Sequence, residues 1–234
     1  MSDFLDTAQA HPDISSVFAQ DDGASMIQTL LLYAPDAFVD YDAVQASFDS
    51  PDFLRLLELA KRQTQPEAES PREALLNGQA LLEQLMLGRA QEFEAEYADG
   101  LNELSFPGFP GAGRASFYLT LPMAIPVNAQ EKEGAWAFLK LLITEPLYAA
   151  RSRGGWLPVQ SDFEKKTAAM TDTDAQRLLR ELQAEAVSVF EYDAAVSGIL
   201  ADELPYYFAE EQSAGQIADR IQRRVQLYLE ETRR

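Results

Sequence analysis

The sequence predicts a helix-rich α/β domain with a small mixed sheet packed by helices. Two observations lead there. Amphipathic stretches with recognisable caps recur along the chain, and short apolar runs bounded by turn residues stand between them. A third observation sets the scale. At 234 residues and 47% hydrophobic content the chain can bury a sizeable core, and it reads as a single domain over 1–234.

The elements follow in order. Residues 2–10 read as a helix with Ser2 as cap, and 25–33 as a second, more apolar one. Ser50 before Pro51 is a helix start: the hydroxyl can accept from the first turn, and proline fits the first helical position. Phe53, Leu54, Leu56, Leu57, Leu59 and Ala60 then form one apolar face. Residues 62–70 read as a polar linker. Ser70 and Pro71 repeat the start signal, with Glu73 placed to complete a capping box. Asn77-Gly78 marks a turn. The apolar run 81–87 suits a strand or a helix, since periodicity does not separate the two.

The middle of the chain is read the same way. Residues 106–113 hold two prolines and three glycines, so they read as a strand end leading into a loop. Residues 117–125 are the best strand candidate, with alternation through Tyr118, Leu119, Thr120 and Leu121. The apolar Ala124, Ile125 and Val127 end that run. Asn128 can cap the next helix, with Glu131 three residues on. Ala135, Trp136, Phe138, Leu139 and Leu142 recur at helical spacing, which places Trp136 in the core. Pro146 can start a further helix, which Gly154 and Gly155 would end. A turn through Trp156 and Pro158 follows, where Trp156 can line a cleft. Residues 173–201 read as one or two helices. Residues 213–232 are the last, with Ser213 and Gln216 as capping box and Ile217, Ile221, Val225 and Leu229 every four residues.

Residue chemistry excludes more than it assigns. The chain has no cysteine and a single histidine, His11, beside Pro12. Thiolate catalysis and Cys/His zinc sites are thereby excluded, and a Ser-His-Asp triad would have to use His11. Asp40-Tyr41-Asp42 and Asp172-Thr173-Asp174 have D-x-D spacing but do not continue as calcium loops. The glycine-rich stretch from Gly108 to Arg114 lacks the Lys-Ser or Lys-Thr of a P-loop. A formal charge of −19, with ten aspartates and no Lys or Arg before Arg55, argues against nucleic acid and against an anionic membrane surface. No metal or other cofactor is expected.

The order of motifs carries a resemblance. The strand ending at Val127, the helix KEGAWAFLKLLI and the glycine-rich turn with Leu157-Pro158-Val159 look like the second lobe of extracellular solute-binding proteins of ABC importers. The sugar-binding family 1 is the nearest likeness. FVDYDAVQASFDSPDFLRLLELAK resembles that family's acidic turn and helix, NGQALLEQLMLG its cleft-entering strand, and LSFPGFPGAG its Gly-Tyr-Pro-type strand and glycine-rich loop. ILADELPYYFAEEQSAGQIADRIQRRVQLYLEE resembles its closing helix pair.

The resemblance implies the C-terminal lobe of the type II periplasmic-binding-protein fold, with the first lobe and signal peptide outside this chain. It implies a non-enzymatic role: binding a carbohydrate, such as an oligosaccharide, in a cleft between two lobes, this chain supplying one half. The parent protein would be extracytoplasmic and would dock on a membrane permease, without inserting into the membrane itself. Candidate substrate-binding residues are Glu83, Gln84 and Met86 on the cleft-entering strand, Tyr118 after the glycine-rich loop, and Arg153 and Trp156 at the Gly-Gly turn. Glu83 and Gln84 could equally sit on a helix surface, and Tyr118 in strand packing. Two other classes stand beside this one. An all-helical protein-interaction module would show a large exposed apolar patch and little strand. An acidic glycosidase would need two facing carboxylates.

Overall fold

The computed structural model describes residues 1–14, 16–19, 21–64, 66–84, 93–95, 98, 100, 105, 124–142, 173–185 and 193–232. It is helix-rich with small sheets. The described residues fall into two compact units: 1–84 with 193–232, and those between.

The first unit is built on helices. They are α1 (Ser2–Ala10), α2 (Gly23–Tyr33), α3 (Pro51–Arg62) and α4 (Pro71–Leu76), joined by the two helices of residues 194–232. Strand β1 (Ser16–Phe18) pairs in parallel with β4 (Ala80–Leu82), Ser16 opposite Ala80 and Phe18 opposite Leu82. A tight antiparallel hairpin joins β2 (Val39–Asp40) to β3 (Gln45–Ala46). The run beginning at Leu81 is therefore a strand at its start. The parallel pair needs a crossover, and α2, the hairpin, α3 and α4 supply it.

Local chemistry explains most helix starts. Ser50 Oγ accepts the Phe53 N–H at 3.4 Å with Pro51 in the first turn, and Lys61 and Arg62 complement the dipole at the other end of α3. Ser70 accepts from the Glu73 N–H at 3.2 Å, while the Glu73 carboxylate takes the Glu69 N–H, one residue before the expected partner. Gly78 follows α4 with φ 68°, a left-handed conformation that favours glycine. Two starts differ from expectation. Helix α1 begins at Ser2 with Met1 as its cap residue, and the Ser2 hydroxyl instead donates to Asp52 at 2.5 Å. Helix α2 begins at Gly23, two residues before the expected start, because Asp22 caps it, its Oδ1 accepting the Ser25 N–H at 2.8 Å.

Helices α7 (Ala194–Phe208) and α8 (Ala214–Thr232) complete the unit. Helix α7 runs past Ala201 and through Pro205, because Leu200, Leu204 and Tyr207 on either side of the proline are buried. Helix α8 opens with a full capping box: Gln216 N–H to Ser213 Oγ at 3.3 Å and Ser213 N–H to Gln216 Oε1 at 2.9 Å. Ile217, Ile221, Val225 and Leu229 are all buried. The core gathers Leu5, Met26, Ile27, Leu30, Leu56, Leu57 and the α7–α8 stripes around three phenylalanines. Phe53 meets Phe38 and Phe48 edge-on at centroid distances of 5.2 and 5.0 Å, a favoured aromatic geometry.

Side chains also do backbone work. Gln222 accepts the Phe48 N–H at 2.7 Å and donates to Ala46 O; Gln226 accepts the Ala46 N–H at 3.0 Å and donates to Val44 O. Two amides one helical turn apart thus serve the hairpin as a third strand would. Glu203, buried on α7, is held by Arg224 Nη1 at 2.7 Å and lies 2.8 Å from Arg220 Nη2, an ion pair not aligned as a hydrogen bond.

In the second unit, α5 (Lys132–Leu142) and α6 (Asp174–Glu185) are described. Ala175, Leu179 and Leu182 of α6 are buried, and Thr173 donates to Glu94 at 2.8 Å. Helix α5 corrects three expectations. It starts at Lys132, not after Asn128; Asn128 lies in a turn closed by Ala129 N–H to Pro126 O at 3.0 Å. Ala124 to Pro126 are not a strand, and Val127 is exposed. Trp136 is 53% exposed, not core, and none of the residues of α5 is buried. The stripe is present, but no surface covers it deeply. The expected strand over 117–123 and the helix and turn over 146–159 lie outside the described residues.

Candidate functional site

Parallel strands deliver their following residues to one edge, and open α/β sheets tend to bind ligands there. In the first unit that edge lies beyond Phe18 and Leu82. Strand β1 leads to Asp21, Asp22 and the N-terminus of α2; β4 leads to Glu83 and Gln84. Ala19 N–H donates to Leu82 O at 2.9 Å, which extends the pairing to the edge itself.

Gln63 fixes this edge from behind. It lies in the stretch read as a polar linker, yet it is buried. Its Oε1 accepts the Val17 N–H at 2.6 Å, and its Nε2 lies within hydrogen-bonding distance of Phe18 O at 2.9 Å, Asp21 O at 2.8 Å and Ser16 Oγ at 3.1 Å. One amide therefore positions both β1 and the turn into α2.

The groups at the edge are mostly acceptors. Asp21 is 8% exposed. Its carboxyl is pushed above the usual carboxylate range by burial, countered in part by a hydrogen bond from Thr29 on α2. One carboxylate oxygen, Oδ2, has no hydrogen-bond donor. Asp22 is held below the ordinary range by its bonds from the Ser25 backbone N–H and then the Ser25 hydroxyl. Burial raises the Tyr33 phenol, which is hydrogen-bonded to Gln84 and feels the Asp21 charge. Tyr33 therefore ties the two strand ends together: it reaches Gln84 on one side and faces Asp21 on the other. Such a set of planar carboxylates, an amide and a phenol suits a ligand rich in hydroxyl donors.

Of the six expected site residues, Glu83 and Gln84 fall at this edge, following a strand and not on a helix surface. Met86, Tyr118, Arg153 and Trp156 lie outside the described residues. Sequence reading missed Asp21, Thr29, Tyr33 and Gln63. The signal available was Val17-Phe18 followed by Asp-Asp-Gly, a strand-turn-helix start whose apolar run is too short to show alternation.

Two concave features lie elsewhere. A cavity of about 40 Å³ between α2, the hairpin and α7 is bordered by Tyr41 and Asp193. It suits a water molecule, not a sugar ring. The Tyr41 hydroxyl donates to Asp193 at 3.1 Å, and burial followed by the Asp193 charge raises the Tyr41 phenol. An open groove of about 420 Å³ runs along Ile125, Pro126, Val127, Lys132, Glu133 and Trp136 in the second unit. Lys140 Nζ sits 5.3 Å from the Trp136 ring centre, a cation–π contact on that exposed indole. His11 is exposed at the end of α1. Asp40 accepts the Ala43 N–H at 2.8 Å as a turn residue. Among the described residues, no three His, Asp or Glu side chains converge as a metal site, and no helix is long and apolar enough to cross a membrane. No protein-family model matches the chain, and no curated protein matches it.

Proposed function

We propose that this chain is one lobe of an ABC importer's solute-binding protein, of the type II periplasmic-binding kind, and that it contacts a carbohydrate without transforming it. The observation that carries the reading is the polar edge beyond β1 and β4, where Asp21, Tyr33 and Gln84 converge. The order of sequence motifs supports it. So does the position of Glu83 and Gln84 at the end of a strand. The other lobe of such a protein would supply the facing half of the cleft, and hinge closure would present the clamped form to a permease. A half-site holds its ligand weakly. Calorimetry of this chain with neutral oligosaccharides is expected to show no heat at micromolar concentrations, while NMR at tens of millimolar saccharide moves the amide signals of Thr29, Tyr33 and Glu83. Micromolar affinity would refute the half-site; silence of those amides toward every saccharide would refute the carbohydrate reading.

One observation favours a second reading, a protein-interaction module. Helix α5 exposes Trp136, Phe138 and Leu141, and Val127 stands beside its start. An apolar surface of this kind is what a partner protein covers. Sedimentation of the chain over a hundredfold concentration range, with and without Trp136→Ser, tests whether the face self-associates.

A further inference from the structure

The face of α5 around Trp136 carries a projection and a hollow side by side. The indole is 53% exposed, and the open groove of about 420 Å³ beside it is lined by Ile125, Pro126 and the exposed Val127. A groove of that size lies within the range that accepts a small apolar group, about 300–1,000 Å³. Two charges bracket the indole. Glu133 lies three residues before Trp136 and Lys140 four after it, so the three share one side of the helix. Both charged residues are exposed, and Lys140 Nζ stands 5.3 Å from the indole centre. Turning the helix end for end exchanges the two charges. The face is therefore complementary to its own antiparallel copy: negative meets positive at both ends, and indole meets groove in the middle. A partner charged with one sign throughout would meet a like charge at one end. A stripe with both signs in reverse order meets none, and this chain supplies one.

We propose that this face is the interface of a homodimer. Helix α5 pairs antiparallel with α5 of a second copy about a two-fold axis near Trp136, each indole seats in the other copy's groove, and each Glu133 faces the partner's Lys140. The contact is isologous, so every interaction occurs twice. The inference goes beyond the carbohydrate reading; it rests on the interaction-module reading and names its partner. The dimer is weak, for two reasons. A covered indole buries only about 150–250 Å², and interfaces below about 1,000 Å² in total hold loosely. Two chains of formal charge −19 also repel each other. At an ionic strength of about 0.15 M that repulsion is screened beyond about 8 Å, while charges in contact still attract.

Sedimentation equilibrium of the full 234-residue chain at that salt, from micromolar to near-millimolar concentration, tests the pairing. The unaltered chain is expected to move from monomer toward dimer, and Trp136→Ser to stay monomeric. Glu133→Lys lowers the net negative charge, so general repulsion alone predicts stronger association. The proposed pairing predicts the reverse, a weakening of about fivefold or more, because two attractions become two repulsions. Lys140→Glu should weaken association as well. Mixing the two single variants, or combining both changes in one chain, returns every opposite pair and should restore the affinity to within about twofold. A monomer throughout, a Glu133→Lys variant that associates more tightly, or a mixture no tighter than its components overturns the inference. If association is lost in Trp136→Ser but indifferent to the charge changes, the antiparallel pairing fails while the interaction-module reading stands. If association persists in Trp136→Ser, both fail. Should a variant not fold, the Trp136 indole N–H signal of the unaltered chain replaces it: that signal must shift as concentration rises, and a constant signal overturns the proposal.

Discussion

Helices α5 and α8 carry the same kind of pattern and end differently. Both have apolar residues at helical spacing. Helix α8 buries Ile217, Ile221, Val225 and Leu229, whereas α5 buries none of its residues and leaves Trp136, Phe138 and Leu141 more than half exposed. The difference lies in what stands opposite. Helix α8 meets α7, α3 and the hairpin, which together offer an apolar wall and backbone groups for its glutamines. A stripe reports that a face is apolar; whether it is covered depends on a partner surface elsewhere in the chain.

Substitutions can break or sharpen that contrast. The largest effect is expected at Phe53, which is fully buried against two rings. Phe53→Ala should cost about 3–5 kcal/mol in urea denaturation, while Trp136→Ala should stay within about 0.5 kcal/mol. A Trp136→Ala loss as large as that of Phe53→Ala would return α5 to the core. Next comes the α7–α8 ion group. Replacing Arg220 and Arg224 together by Met strands the buried Glu203 carboxylate and should cost about 3 kcal/mol or more; adding Glu203→Leu should recover most of it. Thermal melts of the double and triple variants decide this.

Gln63→Ala should cost roughly 1–3 kcal/mol, because Val17 N–H and Phe18 O lose a shared partner. Amide exchange at Val17 should accelerate more than at α8 positions. Asp21→Asn carries a sign as well as a size. The folded carboxyl has a raised pKa, so the native state binds the proton more tightly than the unfolded chain. Stability of the unaltered protein therefore rises as pH falls from the raised folded value toward the unfolded one near 3.8. At pH 7 Asp21→Asn is expected to be the more stable, and the advantage should shrink as pH falls through the raised folded value toward 3.8. An advantage that does not change with pH would show that Asp21 titrates normally. The smallest effect is Ser213→Ala, which removes one half of a capping box and should cost about 1 kcal/mol.

The same contrast explains what was legible in the sequence. Ser50-Pro51, Ser70-Pro71 and Ser213 place helix starts correctly because cap and partner lie within four residues. Asn128 and Glu131 satisfy that spacing too, yet Asn128 sits in a turn closed by Ala129 N–H to Pro126 O and the helix starts only at Lys132. Glu83 and Gln84, singled out through the order of motifs, follow strand β4. Asp21 and Gln63 were not singled out, because their roles depend on meeting each other across a separation of 42 residues. Gln63 looks like any polar linker residue until β1 is beside it. Local chemistry is written in neighbours; a site assembled from strand ends is written in topology.

The glutamine brace on the hairpin has a consequence in time. Ala46 and Gln222 are 176 positions apart, and Val44 and Gln226 are 182 apart. At a translation rate of about 5–20 residues per second, the hairpin would emerge on the order of 10–35 s before the amides that close its edge. During that interval the nascent segment presents unpaired backbone groups and an uncovered Phe38–Phe48–Phe53 cluster. Shielding by a chaperone, or a pause that shortens the wait, would matter most for this stretch, and a burst of aggregation is expected from ribosome-stalled chains that stop before Gln222.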